Sequence, residues 1–122
     1  MRELAGDQML VRIYIGESDR WQSLPLHRAI LERLRREGFA GATVFHGTAG
    51  FGAGSVVHTS DVLRLSQVLP VVIEIVDSAT QVERLLPVLD EMVDDGFVTI
   101  EKVSVLKYEP GRRHGAKKDT GA

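Results

Sequence analysis

Residues 68–107, VLPVVIEIVDSATQVERLLPVLDEMVDDGFVTIEKVSVLK, decide the fold. Over 68–76 the side chains alternate: Val71, Ile73 and Ile75 point one way, and Val72, Glu74 and Val76 the other. A period of two is the signature of a strand. Both faces are mostly apolar, which predicts a strand covered on both sides. Pro70 lacks an N–H and belongs at the strand start or on an edge. The period then lengthens. Ser78 followed by Gln81 fits a capping box, and Val82, Leu85, Leu86, Leu89 and Val93 form one helical stripe. Pro87 lies inside this helix, where it removes a hydrogen bond and predicts a kink; Gly96 ends it. A second strand follows over 97–107. Its apolar residues are even-numbered at Val98 and Ile100 and odd-numbered at Val103 and Val105, which predicts a β-bulge near Glu101–Lys102.

The same pattern precedes this unit. Residues 8–15, QMLVRIYI, alternate as a strand, with Met9, Val11, Ile13 and Ile15 on one face. Residues 24–37 read as a helix through Leu26, Ile30, Leu31 and Leu34. Ser23 is its expected N-cap, Pro25 sits in its first turn, and Gly38 stands at the left-handed C′ position. Residues 42–48 read as another strand. The order β-α-β-β-α-β predicts an α+β, ferredoxin-like sandwich: an antiparallel sheet with both helices on one face. The other face would carry Leu10, Tyr14, Val72 and Val76, too much apolar surface to leave in water, so an oligomer is expected to cover it.

The chain has 122 residues, enough for one domain with its own core. Residues 1–108 are expected to form it, with 109–122 a flexible basic tail. There is no cysteine, hence no disulfide and no thiolate chemistry. No apolar run approaches the roughly 20 residues of a membrane span, and the N-terminal residues contain no signal-peptide core. No direct membrane insertion and a cytoplasmic address are therefore expected. Net charge is −2; residues 1–110 hold 11 basic and 16 acidic side chains, while the last twelve residues hold four and one. An acidic body argues against nucleic-acid binding. Ile13-Tyr14-Ile15-Gly16 resembles the first strand of an RNA-recognition motif, but the strand at 68–76 has none of the aromatics that stack bases.

Four of the twelve glycines, Gly47, Gly50, Gly52 and Gly54, fall in one short loop. Glycines let backbone N–H groups approach an anion without obstruction, so the loop is a candidate phosphate or nucleotide cradle. It reads equally as a mobile connection whose glycines satisfy turns. The spacing is neither a dinucleotide fingerprint nor a Walker loop. His46 and His58 flank the loop and could meet at its base; with nearby acids they would be the ligands of a metal-dependent enzyme, though hydrogen bonding is the simpler role. His27 reads as structural. Asp90, Glu91, Asp94 and Asp95 could hold Mg²⁺ or do acid–base work, but a solvated helix face accounts for them. With no nucleophile–base pair and no triad spacing, no enzyme is expected and no cofactor is required.

The segments VRIYIGE, GFAGATVFHGTAGFGAG with SVVHTSD, LPVVIEIVDSATQVERLLPVLDEMV and DDGFVTIEKVSVLKY resemble domain-of-unknown-function family 190 over about residues 4–108. That family is similar in fold to the PII nitrogen-regulatory signalling proteins. The resemblance implies a PII-like homotrimer whose sheets line its interior. It places 47–61 in the T-loop, which contacts partner proteins, with nucleotides in the clefts between subunits. The implied ligand-binding residues are Gly47, Gly50, Phe51, Gly52, Gly54 and His58, with Lys102 and Lys107 as polar contacts. The implied effector is a small anion, an adenine nucleotide by class. Two departures stand out: the connection Asp94-Asp95-Gly96 is too short for the PII phosphate loop, and 47–61 contains no tyrosine. They leave room for a smaller ligand such as AMP or a cyclic nucleotide. Members also occur beside, or fused to, fluoride-exporting membrane proteins. That implies a role in ion homeostasis and the alternative of a ligand-free accessory subunit of a membrane transporter.

Overall fold

The computed structural model describes residues 4–52 and 69–111. The elements are β1 (Gly6–Gly16), β2 (Arg20–Trp21), β3 (Leu24–Pro25), α1 (Leu26–Arg36), β4 (Thr43–His46), β5 (Pro70–Asp77), α2 (Ala79–Met92) and β6 (Phe97–Val105). The four long strands form an antiparallel sheet in the order β4-β5-β1-β6, and β2 and β3 make a separate two-stranded ribbon. With the ribbon set aside, this is the ferredoxin-like βαββαβ sandwich that the alternation of periods predicts.

The core lies between the helices and one sheet face. Val11, Ile13 and Ile15 of β1 and Val71, Ile73 and Ile75 of β5 pack under Leu26, Ala29, Ile30 and Leu34 of α1 and Val82, Leu85, Leu89 and Met92 of α2. Each such Val, Leu, Ile or Met side chain stabilises the fold by about 1.5–3 kcal/mol relative to exposure. The α2 stripe differs from expectation at two positions: Met92 is buried, whereas Leu86 is 38% exposed. Residues 82, 85, 89 and 92 recur at i, i+3, i+7 and i+10 and keep one line toward the sheet, while Leu86 is turned off it. The helix runs on through Pro87.

Three local expectations are corrected. The first concerns the bulge. The β1–β6 register is unbroken from Tyr14↔Phe97 to Gly6↔Val105, with no bulge at Glu101–Lys102. Val98 and Ile100 oppose the core residues Ile13 and Val11, whereas Val103 and Val105 oppose Gln8 and Gly6 on the other face. The apolar residues change sides because the strand changes what it packs against, not because it slips.

The second concerns Ser23, which does not cap α1. Trp21 pairs with Leu24 and Arg20 with Pro25, around Gln22 at φ 56°. Pro25 itself occupies the N-cap position, without a side-chain cap, and the Ser23 carbonyl accepts from Arg20 Nη2 at 2.8 Å. The third concerns β5, which is covered on one face only within the chain: Val72, Glu74 and Val76 stay half-buried on the face away from the helices.

The helix ends follow the expected chemistry. At Gly38 (φ 82°) the Gly38 N–H donates to Arg35 O and the Phe39 N–H to Leu34 O, a Schellman closure. Ser78 Oγ accepts from the Gln81 N–H at 3.2 Å, but the return half of the capping box is absent. The Gln81 side chain instead donates to Glu37 O at 2.9 Å and accepts from Arg84 Nη1 at 2.6 Å. Asp77 is wholly buried; its carboxylate accepts from the Ala40 and Ser78 N–H groups at 3.0 and 2.7 Å. These bonds lock the end of α1 to the start of α2.

Candidate functional site

In this topology β4 runs parallel to β1, so the ends of β1 and β4 and the start of α1 gather at one end of the sheet. The glycine-rich segment leaves the sheet there. Its base is closed on Pro70. The Gly47 N–H donates to Pro70 O at 2.8 Å. A β-carbon added at Gly47 would stand 2.6 Å from Pro70 Cγ, and one at Gly50 (φ 156°) 3.0 Å from it. Those two glycines are therefore demanded by close approach to a proline ring. On the other side of Pro70, the Glu17 N–H donates to Leu69 O at 2.9 Å and extends the β1–β5 pairing. Beyond the pinned base, Phe51 is 86% exposed beside Gly52. Gly54 and His58 lie outside the described residues.

His46, the last residue of β4, meets His27 in the first turn of α1; the ring centroids are 5.5 Å apart and the planes at 85°. The sequence reading assigned His27 to structure and missed this pair. The topology carries the signal, because it puts the start of α1 beside the end of β4. The His27 pKa is lowered, first by burial of the ring and next by His46. Its Nδ1 is buried without a hydrogen-bond partner. Burial and a helix N-terminus both disfavour an imidazolium.

A pH dependence follows. The unfolded chain takes up a proton at His27 near the ordinary pH of about 6.5, and the folded chain only below it. The neutral ring's contribution is complete above that value and is lost as pH falls through the window beneath it. We expect Tm to drop on acidification from pH 7 to pH 5.5, and His27→Gln to flatten that slope. An unchanged slope in the variant would assign the acid sensitivity to other groups.

Lys102 and Lys107 sit elsewhere. Lys102 opposes Met9, seven residues along β1 from Gly16 and thus roughly 20 Å from the loop base, and Lys107 lies past the end of β6. Both are exposed. Among the described residues, one chain by itself does not bring them to Gly47, Gly50 or Gly52.

The helix-free face forms the second feature. Phe45, Val72, Tyr14 and Phe97 make one row across all four strands, and the Tyr14 and Phe97 rings stack at 4.4 Å. In the next row Arg12 donates from Nε to Glu74 at 2.9 Å and from Nη1 to Glu101 at 3.1 Å. The hydrogen bond to Glu74 raises the guanidinium pKa further. Leu10 and Val76 follow, then Val103. Leu10, Tyr14, Val72 and Val76 thus lie on the helix-free face as expected, but Leu10 is already buried within the chain, and the other three are half-buried. No helix among the described residues is long and apolar enough to cross a membrane.

This architecture is the PII-like fold. CPII, a nitrogen regulatory PII-like protein from Thiomonas intermedia K12 solved with ADP, AMP and bicarbonate, superposes with a TM-score of 0.60 at 15% identity, over 81% of this chain and 94% of that one. A Thermus thermophilus protein described as PII-like and signalling gives 0.59 at 23%, over 83% and 91%. At such identities the likeness is one of fold. The sequence carries it to the family: the chain belongs to DUF190, Uncharacterized ACR, whose family model matches residues 8–105. A UPF0166 protein of Methanocaldococcus jannaschii is 38% identical over 101 residues, 82% of this chain and 93% of that one. One from Aquifex aeolicus is 33% identical over 97 residues, 80% and 91%.

Proposed function

We propose that this protein is a PII-like regulator. It assembles as a homotrimer through the helix-free sheet faces and binds an adenine nucleotide in the clefts beside the loop base. Through segment 47–61 it then engages or releases a protein partner. The observation that carries this reading is the coincidence, in one DUF190 chain, of an apolar row of Phe45, Val72, Tyr14 and Phe97 with a glycine-rich segment anchored on Pro70. The ADP and AMP of the CPII complex support the ligand class. Gly47, Gly50, Phe51 and Gly52, with Gly54 and His58, would frame the phosphates and base. Lys102 and Lys107 would reach the cleft only from a neighbouring subunit. A ligand of this kind regulates if it has different affinities for two arrangements of the loop. No catalytic step is required of it.

Native mass spectrometry of the chain with and without AMP or ADP tests the assembly and the ligand together. The expected species is three chains with one nucleotide per subunit. Gly52→Val is expected to weaken AMP binding at least tenfold, by blocking backbone donors with a β-branched side chain, while the mass of three chains persists. A trimer indifferent to every adenine nucleotide would favour a partner-docking subunit without an effector, such as the accessory subunit of an ion transporter. Unchanged affinity in Gly52→Val would remove the loop from the site.

A further inference from the structure

His27 and His46 are held together by the fold yet play no part in the core or in the proposed cleft. We propose that they form a binding site for one divalent transition-metal ion of the zinc class. Two observations support this. The rings stand 5.5 Å apart between centroids and nearly perpendicular. A tetrahedral ion with Zn–N bonds of about 2.0–2.1 Å would hold two imidazole centroids roughly 5 Å apart. The ring separation is close to that value. His27 Nδ1 is buried with no hydrogen-bond partner, a costly condition for a ring nitrogen and one that a ligand removes.

His46 is exposed, which leaves a path from solvent. Imidazole ligands select zinc, copper and nickel over magnesium and calcium. Among the described residues no third His, Asp or Glu completes a cluster with the pair. Water would therefore fill the remaining positions, and the ion would exchange, unlike a four-ligand structural zinc. The position of His46, next to Gly47, places such an ion at the root of the loop.

Isothermal titration of zinc chloride into the chelator-treated full chain tests this. One ion per chain is expected. His46→Gln, an exposed change at a strand end, should weaken binding at least tenfold with an unaltered circular-dichroism spectrum, and His27→Gln should do the same. A His58→Gln/His114→Gln double variant should keep wild-type affinity within about threefold. If His27→Gln does not fold, ¹H–¹⁵N spectra of the wild-type imidazoles decide, with zinc shifting both His27 and His46 nitrogens. Absence of zinc binding in the wild type, full affinity in His46→Gln, or loss of binding in the double variant would each overturn the proposal.

Discussion

Gly96→Ala is expected to destabilise the protein by about 3 kcal/mol and to lower Tm by about 12 °C. The connection from α2 to β6 is short, and at Gly96 it passes directly over β1. A methyl group there would overlap the Tyr14 carbonyl oxygen, which belongs to the backbone and cannot rotate away. It would also lie 3.3 Å from Ile15 Cγ2 and Val93 Cγ1. The φ of 152° adds strain for any residue with a β-carbon. Gly41→Ala is the matched control: nothing lies within 4 Å of its added carbon and its φ is not positive. That change should alter stability by no more than roughly 1 kcal/mol. Urea melts of both variants give the comparison, and equal midpoints would mean that the Gly96 crossing is looser than its geometry.

Val72→Asp combined with Val76→Asp is expected to reduce the native mass to a single chain. Val72 sits in the row with Phe45, Tyr14 and Phe97, and Val76 opposite Leu10, all on the face that the helices leave bare. In an isolated chain an aspartate at either position would remain partly hydrated, so the fold should persist by circular dichroism. In an assembly that buries this face each subunit would carry two unpaired carboxylates into a low-dielectric interior, at a cost of several kcal/mol per charge. Such a cost exceeds what most interfaces can absorb. Leu86→Asp, on the exposed side of α2, should leave the mass unchanged. If the double variant stays oligomeric, the subunits meet through another surface, and the trimeric cleft loses its physical basis.

The ease of reading this chain varies with the range of the interaction involved. The Gly38 closure and the Ser78 cap are decided within four or five residues, and both formed as the sequence predicts. The strands and helices are set by periods of two and 3.6, which a window of eight to fifteen residues displays in full. Ser23 failed as a cap because a competing local structure, the Arg20–Pro25 ribbon, took the residues first. That ribbon has no periodicity to reveal it, since its strands are two residues long. The apparent bulge in β6 came from reading a change of face as a change of phase. One strand seen alone does not tell the two apart.

The candidate site was legible only in part, for the same reason. The glycines at 47 and 50 are conspicuous, but their shared partner, Pro70, lies across the sheet in another element. The sequence suggested that His46 meets His58. His58 lies outside the described residues; the structure brings His46 to His27, nineteen residues earlier, because β4 and α1 share an end of the sheet. Register puts Lys102 at the far end of the sheet from the loop base, so a cleft contact from it calls for a neighbouring subunit.

By itself, the sequence determined the order of the four long strands and two helices, the two-layer α+β class and most of the core stripe of β1, α1, β5 and α2, because hydrophobic periodicity and capping are local; the kinship with DUF190 rests on the resemblance of whole segments. Tertiary structure alone decided the β1–β6 register, the side on which Val103 and Val105 fall, the closure of the loop on Pro70 and the pairing of His27 with His46. Those are contacts between segments tens of residues apart, and they are chosen by which faces can be buried together once the sheet has formed.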